Sequence, residues 1–171
     1  MKIKDSIINK TKQIKLFCDG SVNPQLKIGF GAYFILDDES SSFEDIKNSI
    51  KIKEFKDTSS TKLELEVLLW ALEYESIKEK NFIVYTDCQN ILGLSARRVK
   101  LESNDYKTST GKTVGNSELY KRFFSLTDKL DCTFEKVKGH KKSSQKDEID
   151  KLFNLVDKAS RRALRKHLEE K

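Results

Sequence analysis

Two stretches of the chain run from apolar residues straight into an aspartate: Leu16-Phe17-Cys18-Asp19 and Val84-Tyr85-Thr86-Asp87. If both are strands, parallel and adjacent, their carboxylates emerge side by side. Like charges that close repel, so the pair calls for a shared proton or a cation. For either residue alone, a strand-end Asp that merely starts a turn is the plainer reading. A third acid comes from a helix. Leu65, Leu68, Leu69 and Leu72 recur at i, i+3, i+4 and i+7, which predicts a helix over residues 61–80. Lys62, Glu66, Glu73 and Lys80 share one solvated stripe of it, with Lys62 and Glu66 at pairing distance. Glu64 falls elsewhere, among Leu68 and Ala71. An acid there needs a partner or a metal, unless it only favours the helix dipole. Near the C-terminus, Lys138-Gly139-His140 ends a further strand. The helix after it carries Asp150 and Glu148 on opposite flanks of its apolar stripe, and Asp147 suits a capping role. The wheel alone does not separate Asp150 from Glu148. Carboxylates without cysteine or paired-histidine ligands form a hard-oxygen site, suited to Mg²⁺ or Mn²⁺. Two such ions about 4 Å apart are machinery for cutting a phosphodiester.

These residues need a scaffold, and the periodicities supply one. Strands are expected at residues 14–18, 28–36 and 46–55, the last from the alternation of Ile50 and Ile52 with Lys51 and Lys53. The helix over 61–80 follows, then a strand over 81–86, a weak helix from Gln89, a helix over 117–130 and a strand over 132–138. The final helix is expected to be capped by Ser143 or Ser144. Three hairpin strands followed by alternating elements predict an α/β fold. Its five-stranded mixed sheet would have three antiparallel strands, then two parallel ones, with helices on both faces. In such sheets ligands gather at the carboxyl ends of the parallel strands.

A chain of 171 residues is one domain's worth. Residues 1–12 read as a loose lead-in and 161–171 as the basic end of the last helix. At 37% hydrophobic and 35% charged residues, the chain is wet but too apolar to be disordered throughout. No run approaches the ~20 apolar residues of a membrane span, and residues 1–15 lack a signal-peptide core. Three cysteines are too few for a disulfide scaffold. A reduced compartment, the cytoplasm, is therefore expected, with no membrane partner. The net charge of +6 is uneven. Residues 93–122 hold seven Lys/Arg against three acids, and residues 136–171 hold twelve against six. Two cationic blocks suggest a polyanion such as nucleic acid.

Taken in order, the motifs resemble the type 1 ribonuclease H family, nucleases that cut the RNA strand of RNA–DNA hybrids. The resemblance rests on Asp19-Gly20-Ser21 with Asn23-Pro24, Gly29-Phe30-Gly31-Ala32, and Lys62-Leu63-Glu64-Leu65 with Ala71-Leu72. It continues in Thr86-Asp87-Cys88-Gln89 and in Val137-Lys138-Gly139-His140, with Asp150 ten positions on. It covers about residues 13–160 and implies a ribonuclease H-like fold. It further implies that Asp19, Glu64, Asp87 and Asp150 hold two Mg²⁺ ions (Mn²⁺ being possible), and that His140 assists proton transfer or product release. Asn23, Gln89 and Asn116 would touch the hybrid. Asp150 is preferred to Glu148 on this match.

The basic segment with Tyr106-Lys107-Thr108, Lys112, Val114 and Asn116 resembles the handle that cradles the DNA strand in some members, so Lys107 and Lys112 are expected to bind substrate. The handle's tryptophans are missing, with Arg98 and Glu102 at two of their positions; the only tryptophan is Trp70. The last helix, with Arg161, Arg162, Arg165 and Lys166, reads as a solvated face. The expected protein is a monomeric, metal-dependent endonuclease leaving 5′-phosphate and 3′-hydroxyl ends. The alternatives are a non-catalytic hybrid-binding or interaction domain, disfavoured by the intact acids, and a transposase- or resolvase-like nuclease, disfavoured by the Lys-Gly-His and Asp-Gly-Ser motifs.

Overall fold

Alternation along the first strand sorts the interior into two layers. The structure, a computed structural model, describes residues 13–37, 41–77, 79, 81–138 and 147–171. In β1 (Ile14–Asn23), Ile14, Leu16 and Cys18 point to one face of the sheet and Phe17 to the other. The first set packs on α2 (Ser60–Glu75) and α5 (Ser117–Lys129). Phe17 packs on α6 (Glu148–Glu169) with Val156, Leu152 and Phe153. The sheet is completed by β2 (Ile28–Leu36), β3 (Lys51–Lys56), β4 (Asn81–Thr86) and β5 (Asp131–Lys136), in the order β3-β2-β1-β4-β5. β1, β2 and β3 are antiparallel neighbours, and β4 and β5 run parallel to β1. The expected five-stranded mixed sheet with helices on both faces is therefore what forms.

Phe17 stacks on Phe34 and Tyr85, with centroids 4.8 and 4.7 Å away. That apolar row is the floor on which α6 lies, so truncating Phe17 to Ala should cost about 3–5 kcal/mol. On the opposite face α2 sits close to the sheet because glycines let it. A Cβ on Gly31 would collide with Val67, and one on Gly20 would come within 2.9 Å of Leu63.

Several boundaries differ from expectation. β1 continues past Cys18 to Asn23, and β5 spans Asp131–Lys136. Residues 43–49 form a helix, α1 (Phe43–Ser49), and β3 begins only at Lys51. The Ser42 hydroxyl accepts the Asp45 N–H at 3.1 Å, and Glu44 and Asp45 occupy the first turn. These N-terminal signals outweigh an alternation that starts only at Ile50. α2 stops at Glu75, with Ser76 as its C-cap. The weak helix after Gln89 is two helices, α3 (Gln89–Leu92) and α4 (Leu94–Ser103), with Gly93 between them. α6 is capped by Asp147 in a capping box with Asp150, while Ser143 and Ser144 lie outside the described residues. Among the described residues, no helix is long and apolar enough to cross a membrane.

Candidate active site

The register of the parallel pair sets the site. Phe17 of β1 lies opposite Tyr85 of β4. Two residues further on, Asp19 within β1 and Asp87 just past β4 fall on the same face, that of Phe17 and α6. Glu64 arrives from the other layer. The Ser59 hydroxyl accepts the Lys62 N–H at 3.3 Å and starts α2 so that its second turn crosses the end of β1. Gly20 lets α2 come this close, since a Cβ there would meet Leu63, the residue before Glu64, at 2.9 Å. One ligand oxygen from each of Asp19, Glu64 and Asp87 falls within 4.8 Å of the others.

Asp19 is only 6% exposed. Burial, then the charges of Glu64 and Asp87, push its carboxyl well above the usual range. Glu64 is raised by burial and then by Asp87, although it shares a hydrogen bond with Asp19 and both are favoured by the Gly20 N–H. Three acids here destabilise one another's charged forms, and the donors are all oxygens. The set therefore fits a hard divalent cation.

Asp150 is buried, and its carboxylate accepts the Asp147 N–H at 3.2 Å while its own N–H donates to Asp147 at 2.8 Å. It is not one of the three acids gathered above. Asp157, also on α6, adds a minor upward push to Asp19 and Glu64. Its position explains this. Asp157 follows Val156, which packs on Phe17, two residues before Asp19. Arg161 donates to Asp157 at 2.9 Å. Asp150 and Asp157 are seven residues apart, two turns on one flank of the helix, about 10 Å along its axis. His140 lies outside the described residues.

The expected substrate contacts are spread around this corner. The Asn23 carboxamide oxygen accepts the N–H groups of Gln25 and Leu26 and shapes the β1–β2 turn. Gln89 is exposed at the start of α3. Asn116 takes a left-handed conformation at φ 63° before α5, and its side chain does not cap the helix. Lys107 and Lys112 are exposed on a tight loop in which Lys107 bridges Thr113 and Gly111 turns at φ 82°.

Arg98 is differently placed. Its guanidinium forks onto Asp128 at 2.6 and 2.9 Å and donates to Glu102 at 2.8 Å, so its charge is already matched. Trp70 packs edge-on against Tyr33 in the core. The expected Lys62–Glu66 pair does not form: Glu66 accepts the Thr58 hydroxyl at 2.7 Å, and Lys62 donates to the Asp57 carbonyl at 2.9 Å. Cys18 and Cys88 are free thiols whose pKa values burial raises, which fits packing roles.

Carboxylates converging from two parallel strands and a crossing helix make the site of a cation-dependent hydrolase. The RNase H family model matches residues 11–158, and the chain belongs to that family, as a nuclease of the ribonuclease H type. The chain is 28% identical over 152 residues to the ribonuclease H of Francisella tularensis subsp. novicida (strain U112), covering 86% of this chain and 93% of the relative. The ribonuclease H of Francisella philomiragia subsp. philomiragia gives the same identity and coverage. In fold the chain resembles a foamy viral protease-reverse transcriptase solved in complex with dsDNA. The TM-score is 0.61 at 10% identity, over 86% of this chain and 92% of that one.

Proposed function

We propose that the protein is an endonuclease that hydrolyses the RNA strand of RNA–DNA hybrids at a two-cation site, giving 5′-phosphate and 3′-hydroxyl ends. The convergence of Asp19, Glu64 and Asp87 within 4.8 Å, in a chain of this family, carries the reading. These three side chains hold Mg²⁺, with Mn²⁺ a possible substitute. When bound, divalent cations supply water activation and charge stabilisation at the leaving oxygen. The resemblance that nominated the first three acids nominated Asp150 as the fourth. Asp150, buried in the first turn of α6, takes that part, its carboxylate also serving the capping box.

His140 moves a proton or eases product release, and His140→Ala should slow turnover by about 10²- to 10⁴-fold without abolishing it. Asn23, Gln89 and Asn116 touch the hybrid, while Lys107 and Lys112 meet phosphates. Discrimination rests on 2′-hydroxyls on one strand and deoxyribose on the other. The chain acts as a single-domain monomer in the cytoplasm.

The test is to incubate the protein with end-labelled RNA–DNA, RNA–RNA and DNA–DNA duplexes, with and without Mg²⁺. Only the hybrid should be cut, in its RNA strand, and only with metal. Cleavage without metal, or of all three duplexes, would refute the reading.

A further inference from the structure

α6 has two unlike flanks. One carries Asp150 and Asp157. The other, through Lys151, Leu155, Lys158, Arg162 and Lys166, follows a single stripe facing α1 and the start of β3. Between these elements runs a groove of about 660 Å³. Its rim is cationic: Lys47 from α1, and Lys151, Lys158, Arg162 and Lys166 from α6, with no acid in the lining. All five are exposed, and none makes an ion pair with a described residue. Arg161, one residue from Arg162, is by contrast paired with Asp157. The floor is apolar. Phe43 and Ile52 are 46% and 48% exposed, two large apolar side chains left to water, and Leu155 adjoins them. Ala159 and Ala163 keep the middle of the groove open.

We propose that this groove docks an acidic, apolar-studded helix of a partner protein. Exposed apolar patches rimmed by polar groups mark interaction sites, and a helix laid in a groove presents anchors at i, i+3, i+4 and i+7. The rim from Lys151 to Lys166 spans 15 residues of α6, about 22 Å, which matches a partner helix of about 15 residues. Leu, Ile or Phe on its inner face would cover Phe43, Ile52 and Leu155, and Asp or Glu on its flanks would meet the five cations. A nucleic-acid duplex presents phosphates and sugars outward, so it would answer the charge and leave the floor wet. A second copy of this chain, net +6, carries the wrong sign. So does the chain's own segment 1–12, with four lysines against one aspartate.

The experiment uses the full chain and fluorescence anisotropy of a 15-residue helix-forming peptide, with Leu and Phe at i, i+3, i+4 and i+7 and Glu on both flanks. Two control peptides replace Glu by Lys, or Leu and Phe by Ala. The acidic apolar peptide should bind, with both controls at least tenfold weaker. The double variant Lys158→Glu/Arg162→Glu, and separately Ile52→Asp, should weaken it at least tenfold while leaving hybrid cleavage unchanged. Unlabelled RNA–DNA hybrid should not displace it. These side chains are exposed or half exposed, so the variants should fold, which circular dichroism checks. No binding of the acidic peptide, or equal binding of the Ala control, overturns the proposal. Displacement by hybrid, or loss of hybrid affinity in the charge-reversal variant, overturns it too and gives the groove to nucleic acid. Because cleavage is read separately, a failure here leaves the nuclease reading intact.

Discussion

The acidic corner and the basic handle treat charge in opposite ways. At the corner, Asp19, Glu64 and Asp87 are crowded together with burial and like charge both against them. In the segment from α4 to α5, cations are either matched, as Arg98 is by Asp128 and Glu102, or left in water, as Lys107 and Lys112 are. The first arrangement lowers the stability of the metal-free fold and creates a demand for cations. The second costs the fold little and offers charge to a partner arriving from solution. Chemistry and grip should therefore separate under mutation.

The largest effect should come from removing one corner carboxylate. Asp19→Asn or Asp87→Asn should cut hybrid cleavage by about 10³-fold or more, the scale of several kcal/mol of lost charge stabilisation. Without metal, thermal stability should hold or rise. Near-wild-type turnover in either variant would mean the site is misplaced. The same crowding predicts a pH dependence. In the unfolded chain these acids ionise near pH 4. In the metal-free fold, burial and the neighbouring carboxylates hold the pKa values of Asp19 and Glu64 well above that. Between the unfolded and folded values the native state binds more protons than the unfolded one, so stability falls as pH rises. Tm without metal should decline from pH 5 to pH 8, and Asp19→Asn should flatten the slope. Mg²⁺, which favours the ionised acids, should raise Tm more at pH 8 than at pH 5.

Next in size is the contrast between two acids of α6. Asp150→Asn should slow cleavage by about 10²-fold, the scale of one lost charge-stabilising group, and lose about 1 kcal/mol from the capping box, read by denaturant unfolding. Asp157→Asn, whose carboxylate pairs with Arg161, should keep most of its activity. The reverse pattern would give the fourth site position to Asp157.

The α2 pair comes after that. Glu64→Gln should damage activity far more than Glu66→Gln. Glu66 holds the Thr58 hydroxyl in the loop before α2, so its loss should appear as about 1 kcal/mol of stability. Equal losses of activity would place both carboxylates in the site.

Much of this corner was legible in the residues. Asp19 and Asp87 stand where apolar runs stop, which local pattern locates even though β1 itself continues to Asn23. Glu64 stood out because it broke a leucine periodicity. α1 was hidden because the Ile50 and Ile52 alternation was extended backwards to Ile46, into the helix that Ser42 and Asp45 start. What local pattern could not supply was the crossing of α6 over β1. Val156 of α6 packs in one cluster with Phe17, 139 positions away in sequence. The pairing of Arg98 with Asp128, 30 residues on, was invisible for the same reason.

The smallest effect, and the sharpest test of the separation, concerns the handle. Lys107 and Lys112 are exposed, and neither makes an ion pair with a described residue. Arg97, Lys100 and Lys107 line one open hollow of about 840 Å³ beside that loop. Each phosphate such a lysine neutralises releases counterions, so affinity should fall steeply with salt. Replacing Lys107 and Lys112 together by Ala should raise KM and flatten the salt slope by about one to two units. The saturated rate should hardly move, because neither side chain belongs to the acid cluster. Arg98→Ala should behave differently. Its charge is already spent on Asp128 and Glu102, so it should loosen the α4–α5 packing while leaving the salt slope as it is. A lower kcat with unchanged KM in the double lysine variant would break the separation and tie the handle to the chemical step.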